Sequence, residues 1–358
     1  VFERETQKGF SPAFRLLKRT VRRLCGMVYL FGGFFFLVRF FRNCMGKRLT
    51  IVTYHRIADR DIRNIQMSLP YLFTSKKIFL RQLALLKRWY QIITFEELSA
   101  YLAANQPIPR NSLIITFDDG YADNYLTVYP ILRYMRLSAI FFLPVGKIGC
   151  TGTDSLFWWD RAYCYIKQLH EQDNRGMLKE LNQEIQTLFQ KFYDNPSILF
   201  SHLNKESSEQ VHALLNALSE RLRINHEALV AENAVMNWEQ VCAMNGNVHF
   251  GSHAYSHNNL LAMQRADQWF EIAESKRTIE QHTSRRTTVF CYPCGNLNDS
   301  LKHLVNEAEY EFAVTTTAGI NDLKDRYALK RLNIWENTSL SLQGGFSPGY
   351  FAMKLSGF

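Results

Sequence analysis

Four groups of residues in this chain have the types and spacing of reactive chemistry. Asp118 and Asp119 stand side by side before Gly120 in TFDDGYADN, directly after the apolar run Ser112–Phe117. Adjacent side chains leave a strand on opposite sides, so one carboxylate can bind a cation while the other handles a proton. An Asp-Asp-Gly tripeptide alone more often makes a turn or caps a helix. His253 and His257, four residues apart in GSHAYSHNNL, give it company: on a helical turn following a strand, their nitrogens would converge. Two imidazole nitrogens and one carboxylate oxygen form a zinc-like set that leaves a coordination position for water, as hydrolysis requires. The third group is His55, which ends the apolar run Leu49–Tyr54, and the fourth is the turn Tyr292-Pro293-Cys294-Gly295 after Thr287–Cys291.

The elements that must position these residues follow from hydrophobic patterning. Short continuous apolar runs at Leu49–Tyr54, Gln91–Thr94, Ser112–Phe117, Ser138–Pro144, Val248–Ser252, Thr287–Cys291, Phe312–Thr316 and Leu329–Ile334 read as buried strands. Helical spacing at Phe79–Tyr90, Phe95–Leu102, Tyr125–Met135, Asn237–Met244, Ala266–His282 and Asp299–Glu309 alternates with them, which predicts parallel pairing and an α/β body. In parallel α/β structures ligands gather at the carboxyl ends of the strands, where all four reactive groups fall. Between residues 150 and 236 the rhythm changes to three amphipathic helical stretches, Phe157–His170, Met177–Phe192 and Ser207–Leu222, with no convincing strand. The organisation expected is therefore a basic, apolar arm at 1–48, a catalytic body at 49–149 and 237–340, a helical insertion at 150–236 and an aromatic tail at 341–358.

TFDDGYADN, HAYSH and YPCG, in that order and at strand ends, resemble the first three motifs of the polysaccharide deacetylase family, also known as the NodB homology or carbohydrate esterase family 4 domain. TYHRI at Thr53–Ile57 and FEELSAYL resemble a branch of it that opens with a Tyr-His pair on the first strand. The resemblance covers roughly His55–Gly149 and Asn237–Ile334, and it implies a distorted, incomplete (β/α) barrel that hydrolyses the N-acyl group of an amino sugar. By motif position, Asp118 is the implied catalytic base, and Asp119, His253 and His257 are the implied ligands of one divalent metal. Zinc is the first choice for such donors, and cobalt, nickel or manganese suit the same set. The backbone N–H of Cys294 is the implied oxyanion donor, with Tyr292, Pro293 and Gly295 forming the substrate-side turn. Two positions depart from the family pattern. Cys291 stands where the third motif usually begins with Arg, which makes Arg331, at the end of the last predicted strand, the expected partner of Asp118. No late Leu-x-His motif follows Gly295, so His55 is the expected substitute as general acid, since a barrel brings first and last strands together.

Charge locates a second theme. Residues 1–48 hold eleven Lys or Arg and two acidic residues, while the other 310 residues carry 31 of each sign, so the formal surplus of nine lies wholly in the arm. The arm also holds Leu24–Val38, fifteen residues without a charge, shorter than the roughly 20 apolar residues that span a bilayer. A segment lying in the interface of an anionic membrane fits the flanking Arg and Lys residues better than a span does. With the tail from Phe346 as a possible second contact, this predicts a membrane-associated enzyme on the cytoplasmic face, acting on a glycolipid or polyprenyl-linked amino sugar. Nucleic acid is excluded as a partner because the basic residues are interleaved with Phe-rich sequence and no nucleic-acid module is evident. Seven Cys residues without disulfide-scaffold spacing suit a reducing compartment. Two rivals remain: a thiol-disulfide oxidoreductase using Cys291 and Cys294, which would leave the acidic pair and the histidines idle, and an inactive barrel that holds sugars without hydrolysing them.

Overall fold

The computed structural model describes residues 26, 28–46, 48–65, 67–171, 203, 206, 208–220, 222, 224–341 and 345–357. Its strands are β1 (Leu49–Tyr54), β2 (Arg56–Ala58), β3 (Phe73–Ser75), β4 (Gln91–Ile92), β5 (Ser112–Phe117), β6 (Ala139–Leu143), β7 (Val248–Ser252), β8 (Val289–Cys291), β9 (Phe312–Val314) and β10 (Leu332–Asn333). Eight of them form one sheet in the order β10-β1-β5-β6-β7-β8-β9, with β4 added on β5, and every pair is parallel. Strands buried on both faces read as unbroken apolar runs, and β1, β5 and β6 are buried at every position.

Alternation along the strands separates the two faces. Leu113, Ile115 and Phe117 of β5 point outward into a core shared with Phe79, Leu83 and Leu86 of the helix Lys76–Trp89. Ile114 points inward, where it meets Ile51, Ile140, Phe142, Val289 and Val314. The same parity carries Thr116 and then Asp118 to the interior. The sheet is an incomplete barrel, and the chain from Arg326 to Ile334 bridges its seam. On one side Thr315 N–H donates to the Leu329 carbonyl and Arg331 N–H to the Thr317 carbonyl; on the other, Ile334 N–H donates to the Thr53 carbonyl. Arg331 is thus held at the seam between first and last strands.

Helices cover the outside and start on local caps. Thr94 and Glu97 make a reciprocal capping box for Phe95–Ala103, and Asn237 with Gln240 does the same for Trp238–Ala243. The predicted helix from Tyr125 differs at its start, where Asn124–Val128 forms a π-helical turn before the α-helix Tyr129–Met135. In the insertion, Trp158–Glu171, Ser208–Ser219 and His226–Glu232 are helical and share a core of their own. The predicted helix Met177–Phe192 lies outside the described residues. The aromatic tail forms the helix Pro348–Leu355, and its Phe351 and Leu355 are buried in the main core.

Candidate metal centre and catalytic cavity

β5 ends at Phe117, and the next two residues divide as adjacent side chains must. Asp118 turns into the barrel and meets Arg331 in a two-pronged pair: Nη1 donates to Oδ1 at 2.7 Å and Nη2 to Oδ2 at 2.7 Å. The guanidinium is itself fixed by the barrel interior. Nε donates to the Thr315 carbonyl at 3.0 Å, Nη1 to the hydroxyls of Thr53 and Thr116 at 3.2 Å each, and Nη2 to Cys291 Sγ at 3.2 Å. Arg331 is only 1% exposed. Burial works to raise the Asp118 pKa, but the adjoining guanidinium outweighs it and holds the carboxyl below its ordinary value.

Asp119 takes the opposite direction from a left-handed backbone, with φ 73°. Its Oδ1 lies 3.5 Å from His253 Nε2 and 3.3 Å from His257 Nε2, and the two Nε2 atoms are 3.1 Å apart. All three residues are buried. The histidines converge without the helical turn expected of them: residues 253–259 are irregular, and left-handed Ala254 and His257, with φ 61° and 63°, swing the second ring back onto the first. Strained conformations of this kind are kept where function requires them. Glu271 secures the loop by accepting from the N–H groups of Tyr255 and Ser256, each at 2.8 Å.

The cluster fits a divalent cation on its own chemistry. His253 Nδ1 is 2.8 Å from the Cys291 carbonyl, which can only accept, so Nδ1 carries a proton and, in the neutral ring that binds a cation, Nε2 is left to face Asp119 and His257. Burial alone would raise the Asp119 pKa, yet hydrogen bonds from the two histidines hold it well below the carboxylate range. Burial and its neighbour His253 push His257 down. For His253 burial opposes the charge, but Cys291 and Asp119 outweigh it and push the pKa well up. The three donor atoms, Asp119 Oδ1 and the two Nε2, lie within 3.5 Å of one another, close enough to share one cation. Asp118, His253 and Cys291 also converge within 4.8 Å, but the guanidinium of Arg331 already occupies that corner.

A cavity of about 290 Å³ opens over both carboxylates. His55, Asp118, Asp119, His253, His257, Tyr292 and Cys294 line one side of it. His55 is placed by the next loop, where Asn124 Nδ2 donates to its carbonyl at 2.9 Å and Asp123 binds Arg56 Nε at 2.9 Å and Ile57 N–H at 3.0 Å. In the turn, Gly295 N–H donates to the Tyr292 carbonyl and Asn296 N–H to the Pro293 carbonyl, while Pro293 has no N–H to offer. Cys294 is left-handed, with φ 56°. Gly295 follows at φ 74°, and a Cβ there would sit 2.0 Å from Thr316 Oγ1, so only glycine fits.

Comparison with known proteins agrees with this geometry. The profile of the family described as Polysaccharide deacetylase matches residues 192–313, a stretch that contains His253, His257 and the Tyr292–Gly295 turn. YxkH of Bacillus subtilis (strain 168), itself assigned to the polysaccharide deacetylases, is 22% identical over 258 residues, or 72% of this chain and 63% of that protein. The chain is thus similar to the polysaccharide deacetylase family, the profile covering about a third of its length. The poly-beta-1,6-N-acetyl-D-glucosamine N-deacetylase of Escherichia coli (strain K12) is 30% identical over 97 residues, 26% of this chain and 14% of that one. The chain thus spans less than two thirds of the length of these relatives. Among solved structures, the Streptococcus pyogenes deacetylase PplD in complex with acetate superposes with a TM-score of 0.55 at 18% identity, covering 86% of this chain and 98% of that one, a likeness of fold.

Members of the polysaccharide deacetylase family are metal-dependent. Cys291 stands at the start of the third motif, and Arg331 reaches Asp118 from the seam. The thioredoxin-like reading of Cys291 and Cys294 fails on the first thiol. Cys291 Sγ is fully buried against Arg331 and Asp118, and burial pushes its pKa up, whereas a redox nucleophile is accessible and depressed. The rest of the cavity lining was not anticipated from sequence: Leu69, Tyr71, Leu72, Trp158, Trp159 and Thr316. Trp158 and Trp159 open the insertion, so this segment contributes to the site. Trp159 lies 4.7 Å from the His257 ring, and its Nε1 donates to Tyr121 OH at 3.0 Å, which donates to buried Asp160 at 2.8 Å. The adjacent pair of tryptophans at the insertion's start was the available signal.

Proposed function

We propose that this chain is a metal-dependent N-deacetylase of an amino-sugar glycan, polymeric or lipid-linked, with zinc the cation of first choice and cobalt, nickel or manganese suited to the same donors. The observation that supports it most is the division of labour between neighbours: Asp118 is paired with Arg331 and Asp119 with two histidines.

Asp119, His253 and His257 would hold the metal, which when bound polarises an amide carbonyl and acidifies water. Asp118 is the general base. Kept ionised by Arg331, it retains a lone pair on each oxygen beyond the two-pronged contact and accepts the proton of the attacking water. The N–H of Cys294 donates to the carbonyl oxygen as negative charge develops on it. His55, on the same cavity wall, donates a proton to the leaving amine, so water and an N-acetyl group become acetate and a free amine. Leu69, Tyr71, Leu72, Trp158 and Trp159 keep water out and give the sugar an apolar and aromatic face to rest on.

N-acetylglucosamine polymers are the substrate class the relatives' names point to. The test is release of free amine from a beta-1,6-linked N-acetylglucosamine oligomer by metal-loaded protein. Metal-dependent release supports the reading; a chain that binds the oligomer without cleaving it is the sugar-holding barrel instead.

A further inference from the structure

The described part of the basic arm is built inside out. The helix Phe34–Cys44 turns Phe35, Arg39 and Arg42 toward the protein. Arg39 lies against the rings of Phe35 and Tyr90, donates to Asn111 Oδ1 at 3.1 Å and also donates to the Trp89 carbonyl. Arg42 donates to the Ser356 carbonyl of the tail helix. The opposite side carries Phe34, Phe36, Leu37, Phe40 and Phe41, and Phe31 nearby is 80% exposed; each of these six is more than half exposed. A helix facing water has the reverse arrangement, charge outward and rings inward. No helix among the described residues is long and apolar enough to cross a membrane.

We infer that this face lies in the interface of an anionic bilayer, and that the catalytic cavity sits at the opposite pole and works on a glycan extending away from the lipid. Charge favours lipid over a second copy. The arm carries the whole formal surplus of nine and the rest of the chain is neutral, so pairing two copies through this face would bring two positive arms together. An anionic leaflet, the cytoplasmic one in the sequence reading, complements it.

The position of the face sets the reach. Trp89, Tyr90 and Asn111, which hold the helix, immediately precede β4 and β5 at the amino-terminal ends of the strands. Asp118 and Asp119 lie past the other end of β5, so one strand length, roughly 20 Å at about 3.3 Å per residue, separates the two. A sugar joined directly to lipid stays in the head-group layer, which this arrangement does not favour. A chain of several sugars reaches the cavity. This narrows the expected glycolipid or polyprenyl-linked amino sugar to a lipid-linked chain of several sugars, and its substrate half rests on the deacetylase reading.

Two measurements test the two halves. In flotation with phosphatidylglycerol-containing vesicles, the full chain is expected to bind, and the variant Phe34→Ser, Leu37→Ser, Phe41→Ser, all at exposed positions, to bind at least tenfold more weakly with an unchanged melt. Equal flotation of the two proteins, no flotation, or a soluble dimer broken by the variant overturns the membrane face. On the same vesicles, lipid-anchored N-acetylglucosamine chains of several sugars are expected to be deacetylated at least tenfold faster than the single anchored sugar. Equal turnover overturns the reach. Failure on a soluble oligomer as well would instead remove the deacetylase reading and leave the flotation result standing.

Discussion

The two poles of the barrel break the ordinary rules of burial in opposite ways. At the carboxyl ends of the strands, Asp118, Asp119, His253, His257 and Arg331 are buried, and each meets a specific partner, with only His257 Nδ1 among their ring nitrogens left without one. At the amino ends, Phe34, Leu37, Phe40 and Phe41 face outward while Arg39 and Arg42 face in. Buried charge is tolerated where chemistry needs it in a low dielectric, and exposed rings are tolerated where the surroundings are not water. The proposed reaction would account for the first pole and the proposed bilayer contact for the second. Each can be broken without the other.

The largest effect is expected at the ligands. His253→Ala or His257→Ala should lower metal affinity more than about a hundredfold, beyond what loss of a supporting contact costs; full occupancy of either variant by elemental analysis would remove the assignment. Asp118→Asn comes next. It should keep the metal and lose turnover by about 10²–10⁴-fold, as removal of a general base does. Near-normal turnover would mean that the proton goes elsewhere. Arg331→Met sharpens the same corner, since it leaves Asp118 buried and unpaired. Thermal unfolding should show a loss on the order of 3–5 kcal/mol, and an unaffected melt would contradict the pairing.

The smallest effect concerns Asp160, behind the cavity wall. Burial pushes its pKa up to about 7, well above the unfolded value. A carboxyl raised in the folded state binds more protons folded than unfolded between pH about 4 and 7, so its contribution to stability falls as pH rises through that window. Asp160→Asn removes the titration. The variant should therefore become more stable relative to the parent as pH increases, by roughly 1–3 kcal/mol between pH 4 and 8. Parallel stability curves for the two proteins would show that Asp160 does not carry that proton.

Much of the catalytic pole was legible because it follows from local pattern. Continuous apolar runs gave parallel strands, and strand parity carries Asp118 inward, while a left-handed backbone at Asp119 completes the division between the two carboxylates. What remained hidden depends on non-local geometry. The route by which His257 returns to His253 needs two left-handed residues in an irregular loop, which helical spacing does not encode. Tyr71 and Trp158 line one cavity although 87 positions apart in sequence, and only the fold brings them together. At the other pole, composition identified a basic, apolar arm but not its polarity. That Arg39 points inward depends on Asn111 and the Trp89 carbonyl, far away in the chain.

Metal-dependent amide hydrolysis is most directly tested by stripping the protein with a chelator, restoring one equivalent of zinc, and following free-amine release from an N-acetylglucosamine oligomer. Activity that disappears on stripping, returns with the metal, and stays absent in zinc-loaded Asp118→Asn is the expected result. Release that survives complete removal of metal, or no release from a fully loaded protein, would contradict it.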